Sequence, residues 1–239
     1  MKVLFAIIIS TLSLTGTSYC QQIGFKDIDE SQLSPWTPHI DLEYQGTYHF
    51  GDSELESSLV IVITTEGSYA QIRSKTWSLT TNDWYYEFRN LDSVQIIDNR
   101  FFSSQTNGAF MIYSQNNQMI RTLKIDSPWS EVIEPGHYEL GYRYGSLKRY
   151  YSGDYIEGST QILTTRELEK LSFNELTLLK NEIYARYGLV FHDRSLRKHF
   201  RQKGWYKEKY KSVDKFLTQL EKNNIINIEI VESQTSRSN

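Results

Sequence analysis

The sequence predicts an α+β protein in which an N-terminal antiparallel β-meander, barrel- or sandwich-like, precedes a small all-helical domain. Two patterns support this prediction. Up to about residue 145, short β-branched and aromatic segments are separated by turn residues at intervals of about 8–12 residues. After residue 163, apolar residues recur at the spacing of amphipathic helices. We therefore predict a signal peptide (1–20), an antiparallel β domain (21–145), a linker (146–162), a helical domain (163–232) and a tail (233–239).

The first 20 residues have the features of a secretory signal peptide. Lys2 precedes an almost wholly apolar run, Val3 to Leu14, which is too short to span a bilayer, since a membrane helix needs about 20 residues. We expect cleavage after Cys20 and a secreted or periplasmic protein. The alternative is a lipoprotein anchored through Cys20, which Tyr19 disfavours because a small residue normally precedes a lipid-modified cysteine.

Composition excludes several classes of function. Cys20 is the only cysteine, so the cleaved chain would contain no disulfide, catalytic thiol or cysteine-based zinc site. The formal net charge of −3 predicts no nucleic-acid partner. Because the one long apolar run is the signal segment, we do not expect an integral membrane protein.

The predicted β domain contains strand and hairpin patterns. Residues 40–45 alternate between apolar and polar side chains, which predicts a half-buried strand. Asn107-Gly108 predicts a tight type I′ turn between the strand at Phe101-Phe102 and the strand at 109–113, because both residues accept positive φ angles.

If the meander closes into a barrel, its interior is either filled by side chains or holds a small apolar ligand. The Gly46-Thr47-Tyr48 segment resembles the opening of lipocalin-like barrels, so a ligand carrier is the alternative to the filled barrel that we expect. The five Trp residues are interpreted as packing residues, with a ligand platform as the alternative.

The C-terminal third contains helix signals. Thr164 with Glu167, and Ser172 with Glu175, have the spacing of capping boxes. A fourth helix is predicted around Val213 to Leu220, and residues 225–231 alternate like a strand.

Glu182 and Arg186 are placed one turn apart on the helix that follows Ser172, in the order that favours an ion pair. We interpret Arg186 as a structural cation, and the alternative is an anion clamp. Gly188 fits the residue that ends this helix in a left-handed conformation.

Several spaced motifs follow one another in this region: residues 178–188, Phe191, Phe200, Trp205-Tyr206 and residues 220–225. In this order they resemble the YARHG domain, a bacterial extracellular module found after signal peptides. The resemblance implies export and no established catalytic role. Tyr187 stands where the family name has histidine, which counts against any chemistry that requires an imidazole there. We interpret the motif as structural; its residues are Tyr184, Ala185, Arg186, Tyr187, Gly188, Trp205 and Tyr206.

A cluster of cations is the main candidate for binding. Residues 194–215 carry a net charge of +7, with Glu208 and Asp214 as the acidic members. Such a cluster attracts polyanions, and Trp205 and Tyr206 could add stacking contacts. The alternative is a solvated helix face that contacts the acidic β domain. The candidate binding residues are Arg194, Arg197, Lys198, Arg201, Lys203 and Lys207.

Catalytic motifs do not occur in the sequence. The five histidines show no HExxH spacing, and there is no GxSxG elbow or phosphate-binding glycine loop. We therefore assign no catalytic residue, metal or cofactor. We expect an exported, non-catalytic binding protein that contacts anionic envelope material through its basic helical region. The alternatives are a lipocalin-like carrier of a small ligand and a hydrolase of unknown type.

Overall fold

The computed structural model describes residues 28–51, 56–80, 82–115, 117–129 and 138–235. The predicted signal peptide, with Cys20, lies outside the described residues, as do the last four residues of the predicted tail. The described chain has the predicted α+β class, with a large antiparallel sheet followed by helices.

Ten strands are present within the described ranges. Their bounds are β1 Leu33–Pro35, β2 Gly46–Phe50, β3 Ser57–Thr64, β4 Gly67–Ser78, β5 Asp83–Leu91, β6 Gln95–Ile97, β7 Arg100–Phe102, β8 Asn107–Gln115, β9 Gln118–Ile125 and β10 Glu139–Gly145.

The strands form one sheet in the order β5-β4-β3-β2-β10-β9-β8-β7-β6, with β1 paired to β8. Every pairing is antiparallel. The expected barrel is wrong, because the sheet is not closed: β5 and β6 are its two ends and are not paired with each other in the described chain.

One face of the sheet is filled by a core rich in aromatic side chains. Tyr44 stacks on Phe110 with ring centroids 4.0 Å apart, and Trp36 packs edge-on against both rings. Leucine and isoleucine side chains from β3, β4 and β9 complete this core. Trp129 packs against Phe50 at its margin.

Two local predictions in this region are wrong. Residues 41–44 form a short 3-10 helix instead of a strand, because the buried Tyr44 turns its hydroxyl back to donate to Trp36 O (2.9 Å). Asn107-Gly108 lies inside β8 instead of in a turn, and the β7–β8 connection is formed by residues 103–106. Gly108 is needed for close packing there, since a Cβ would approach Lys124 O to 2.1 Å.

The helices are α1 Leu147–Tyr150, α2 Glu157–Thr160, α3 Thr165–Leu168, α4 Phe173–Arg186, α5 Arg194–Arg201 and α6 Gln219–Thr235. Residues 225–231 belong to α6, so the strand-like interpretation is wrong. The helix buries Ile225, Ile228 and Val231 and exposes Ile226 and Ile230, a pattern with helical period. The predicted fourth helix begins at residue 219, later than expected.

The helices pack on the outer face of β3, β4 and β5. Val60 and Val62 of β3 contact Tyr150, Tyr151 and Leu220. The segment 146–162, which we expected to be a linker, contains α1 and α2 and contributes buried residues to this contact. None of the described helices combines the length and the apolar character needed to cross a membrane.

Candidate functional site

The motif at the end of α4 is positioned by its helix signals. Ser172 and Glu175 form the predicted capping box at the start of α4. Gly188, at φ +78°, ends the helix, and a Cβ there would approach Lys207 O to 2.7 Å. Gly188 O accepts hydrogen bonds from the backbone N–H groups of Lys209 and Tyr210 (2.8 and 2.9 Å). The end of α4 is thereby tied to the basic segment.

Arg186 points into the domain and donates from all three nitrogens of its guanidinium group. Nε donates to Ser152 O (2.7 Å), Nη1 to Ser159 Oγ (2.8 Å) and Nη2 to Tyr155 O (2.8 Å). Nη2 also pairs with Glu182 Oε1 at 2.5 Å, and the two side chains are only 5% and 2% exposed. With its donors occupied inside the protein, Arg186 is not available to clamp an external anion.

Tyr187 links the helical region to the sheet. Its hydroxyl donates to Glu221 Oε2 at 2.7 Å and lies 3.2 Å from Gln71 Oε1 of β4. Tyr150 OH donates to the same Gln71 oxygen (3.1 Å), and Gln71 Nε2 donates to Phe216 O (2.7 Å). Full burial raises the pKa of Tyr187 well above its usual value, so the phenol stays protonated as a donor.

Tyr184 is partly buried beside Leu189, and Ala185 is fully buried. Trp205 and Tyr206 pack with Phe191 and Phe200 in the same small cluster, and Tyr206 OH donates to Leu189 O (2.5 Å). These contacts use both rings for packing, which leaves them poorly placed for the ligand stacking that the sequence suggested.

The basic surface, defined here as residues 194–215, has two kinds of cation. Arg197 and Arg201 each form two hydrogen bonds with Glu208, at 2.6–2.9 Å. This double pairing lowers the pKa of Glu208 to about 2, so the carboxylate stays charged at neutral pH. Lys203 Nζ pairs with Asp154 at 2.6 Å. These three of the six candidate binding residues are engaged within the protein.

The other cations face solvent. Arg194, Lys198 and Lys211 are exposed and form no ion pair with any described residue. Lys207 is 75% exposed and lies 3.9 Å from Asp83, a long and weak contact. The other three candidate binding residues, Arg194, Lys198 and Lys207, and also Lys211, therefore remain available to an external anion.

The basic surface continues onto the edge of the sheet. Lys209 Nζ lies 3.7 Å above the ring of Tyr85, and Tyr210 OH donates to Tyr86 O (3.2 Å). Together with the Lys207–Asp83 contact, these interactions make residues 207–210 run along β5 and cover part of this edge strand.

The tip of the β4–β5 hairpin adds apolar groups, of which the sequence analysis interpreted the two tryptophans as packing residues and did not consider Leu79. Trp77 and Trp84 pair across the hairpin with ring centroids 5.4 Å apart and are 40% and 38% exposed. Leu79 at the tip is 91% exposed. In the sequence, this pair is visible as two tryptophans on either side of a turn, a pattern that ordinary hairpin packing also produces.

Two features of the described chain bear on catalysis: the grouping of possible metal ligands and the surroundings of His49. No group of three or more His, Asp or Glu side chains that could hold a metal occurs among the described residues. His49 Nε2 lies 3.9 Å from Glu56, whose carboxylate pairs with Lys75 at 2.6 Å. Burial lowers the pKa of His49, so the imidazole is neutral at neutral pH.

Two clefts lie beside α6 in the described chain. A cleft of about 330 Å³ is bordered by Asn90, Asp92 and Lys222, and one of about 250 Å³ by Asn223 and Asn227. Both clefts have a mixed polar and apolar lining and are open to solvent, so neither is the enclosed apolar cavity that the lipocalin-like interpretation requires.

Residues 147–233 match the YARHG domain family, which confirms the resemblance noted in the sequence. This domain is typical of exported proteins and indicates an extracellular or periplasmic protein. No curated protein and no solved structure shows a significant match to the chain.

Proposed function

Starting from its YARHG domain, we propose that this chain is an exported, non-catalytic binding protein that holds anionic material of the bacterial envelope on the basic surface. One observation carries the proposal: Arg194, Lys198, Lys207 and Lys211, all within residues 194–211, are exposed and lack a close carboxylate partner among the described residues. Clustered exposed cations raise the local concentration of a polyanion and the rate at which it binds.

The internal ion pairs support this division of roles. Glu208 fixes Arg197 and Arg201, and Asp154 holds Lys203, so these three side chains stabilise the surface. The sequence suggested them as binding residues. We now assign direct binding to the cations without close partners, and we treat Arg197, Arg201 and Lys203 as residues that shape the surface.

Contact with the acidic β domain explains the positive charge of only a part of the basic surface. Lys207 approaches Asp83, and Lys209 lies over Tyr85. Arg194, Lys198 and Lys211 form no ion pair with a described residue of the sheet, so contact with the sheet does not explain their charge.

The test is retention of the chain from residue 21 onward on immobilised polygalacturonate at low and high salt. We expect retention at low salt that is lost at high salt, because exposed charges are screened beyond about 10 Å at 0.1 M salt. Changing Arg194, Lys198, Lys207 and Lys211 together to Gln should weaken binding by at least about tenfold.

A matched control has the same loss of charge elsewhere. Lys148, Arg166, Lys170 and Lys222 are exposed and also lack an ion pair with the described residues. Changing these four to Gln should leave retention nearly unchanged. Equal losses in the two quadruple variants would contradict the proposal. So would a wild-type protein that binds neither this polymer nor vesicles containing phosphatidylglycerol at low salt.

A further inference from the structure

We infer that the anionic partner is the surface of a lipid bilayer and that the β4–β5 hairpin is its apolar anchor, an inference that rests on the proposed function. The hairpin tip places Leu79, Trp77 and Trp84 in solvent beside the basic surface. Peripheral binding of this kind combines attraction to anionic headgroups with shallow insertion of apolar side chains.

The exposed residues have the order that shallow insertion requires. Leu79 lies at the tip, 91% exposed, and is the residue that water solvates least favourably. Trp77, two residues before Leu79, pairs with Trp84 across the hairpin. Their ring centroids are 5.4 Å apart and their ring planes form an angle of 70°. Tryptophan favours the boundary between headgroups and acyl chains, because its ring is apolar and its N–H is polar.

The cations are placed at headgroup depth. Asp83 pairs with Ser78, one position nearer the tip than the tryptophan pair, and lies 3.9 Å from Lys207. Lys209 covers the ring of Tyr85, one position behind the tryptophan pair. The two lysines therefore lie level with the tryptophan pair along the hairpin. Their long apolar stems can lie along the hairpin while the ammonium groups contact lipid phosphates. The charged Asp83 limits insertion to the residues at the tip.

A bilayer explains more of this surface than an acidic polysaccharide does. A sugar chain could stack on the tryptophans and pair with the lysines. A sugar chain offers no hydrocarbon layer in which Leu79 could be buried, and Leu79 is 91% exposed in the folded protein. A bilayer with anionic headgroups meets all three features, because it presents negative charge outside and hydrocarbon below.

The test is flotation of the chain from residue 21 onward with vesicles of phosphatidylcholine alone and of phosphatidylcholine with 30% phosphatidylglycerol. We expect binding to the anionic vesicles at low salt and a blue shift of tryptophan emission. Leu79→Ser should lower vesicle binding on the order of tenfold, as expected when one leucine is no longer buried. Trp77→Phe with Trp84→Phe should remove most of the blue shift.

Met119 provides the matched control, since it is 75% exposed near the β8–β9 turn and belongs to β9, five positions from β5 in the sheet order. Met119→Ser should bind vesicles like the wild-type protein. Both serine substitutions are at solvent-exposed positions, so circular dichroism should show that both variants remain folded.

Binding to polygalacturonate separates this inference from the proposed function. If the wild-type protein binds the polymer, and Leu79→Ser leaves vesicle binding unchanged, the bilayer anchor is overturned and an acidic polysaccharide becomes the partner. If the protein binds neither polymer nor anionic vesicles at low salt, the proposed function itself fails. Loss of vesicle binding in Leu79→Ser with unchanged polymer binding supports the anchor.

Discussion

Arg186 and Glu182 form a nearly fully buried ion pair one turn apart on α4, and both side chains also hold the backbone of residues 152–155. Glu182 accepts from the N–H groups of Asp154 and Tyr155, while Arg186 donates to the carbonyls of Ser152 and Tyr155. The motif at the end of α4 therefore fixes the loop that connects α1 with α2.

Replacing Arg186 by Ala should lower the free energy of unfolding by about 3–5 kcal/mol, because Glu182 would keep a buried charge without its partner. Arg186→Lys should recover only part of this loss, since a lysine cannot form the forked contacts with Ser152, Ser159 and Tyr155. Urea denaturation measures both. Arg166→Ala, at an exposed position, is the control, and a similar small effect for Arg186→Ala would contradict the structural role.

Tyr187 should stabilise the contact between the helices and the sheet. Tyr187→Phe removes the hydroxyl that donates to Glu221 and lies against Gln71, and we expect a loss of about 1–3 kcal/mol in unfolding free energy. Tyr184→Phe is a matched control on the same helix, because the Tyr184 hydroxyl forms no hydrogen bond with a described residue. Equal effects of the two substitutions would show that the buried hydrogen bonds of Tyr187 contribute nothing.

Glu221 should make stability depend on pH. Full burial raises the pKa of Glu221 above 4.5, although its Oε2 accepts from Tyr187 OH and Thr218 N. Between pH 4.5 and the raised pKa, the folded state binds more protons than the unfolded state, so this group lowers stability as pH rises.

In Glu221→Gln this contribution should disappear, because the amide keeps an acceptor oxygen and does not ionise in this range. The measurement is the difference in unfolding free energy between pH 5 and pH 7.5 for the wild-type protein and the variant. Glu169→Gln, at an exposed position, should keep the wild-type difference. An unchanged difference in Glu221→Gln would show that Glu221 ionises normally.

Local sequence signals predicted the parts of the fold that depend on near neighbours. The Ser172–Glu175 capping box and the Glu182–Arg186 pair are spaced by three and four residues, so the helix itself brings their side chains together. The strand-like alternation at 225–231 misled because Ile226 and Ile230 are exposed apolar residues on a helix.

Contacts between distant parts of the chain were not predictable in the same way. The Tyr187–Gln71 contact joins residues 116 positions apart, and nothing in either local pattern indicates it. The candidate surface was found only in part, for the same reason. The cations of 194–215 were visible as a charge cluster, but Trp77 and Trp84 join them only through the packing of residues 207–210 along β5.

Gly153 should be intolerant of a side chain. It adopts φ +120°, and a Cβ there would approach the Glu182 carboxylate to 2.3 Å. Gly153→Ala should therefore cost about 1–3 kcal/mol in backbone strain, in addition to the disturbance of the Glu182–Arg186 pair. Gly204→Ala is the control, because nothing lies within 4 Å of its Cβ position. Thermal unfolding of both variants checks the difference, and equal stability would contradict the close approach.

Glu208 should limit the binding strength of the basic surface, because its carboxylate neutralises Arg197 and Arg201. The pKa of Glu208 is lowered to about 2, so the carboxylate is charged throughout the neutral range. The stability that this charged group contributes is lost only as the pH falls from 4.5 through about 2. Glu208→Gln should therefore bind polygalacturonate and phosphatidylglycerol vesicles several-fold more tightly at pH 7, with a steeper dependence on salt.

Asp214→Asn is the matched control for Glu208→Gln, because it changes the charge of the same segment by the same amount. The Asp214 carboxylate accepts from Ser212 and forms no ion pair with a described residue, so its loss frees no arginine. We expect Asp214→Asn to strengthen binding less than Glu208→Gln does. Equal gains would mean that net charge alone governs binding. A larger gain for Glu208→Gln would show that Arg197 and Arg201 bind the anion once the Glu208 carboxylate no longer neutralises them.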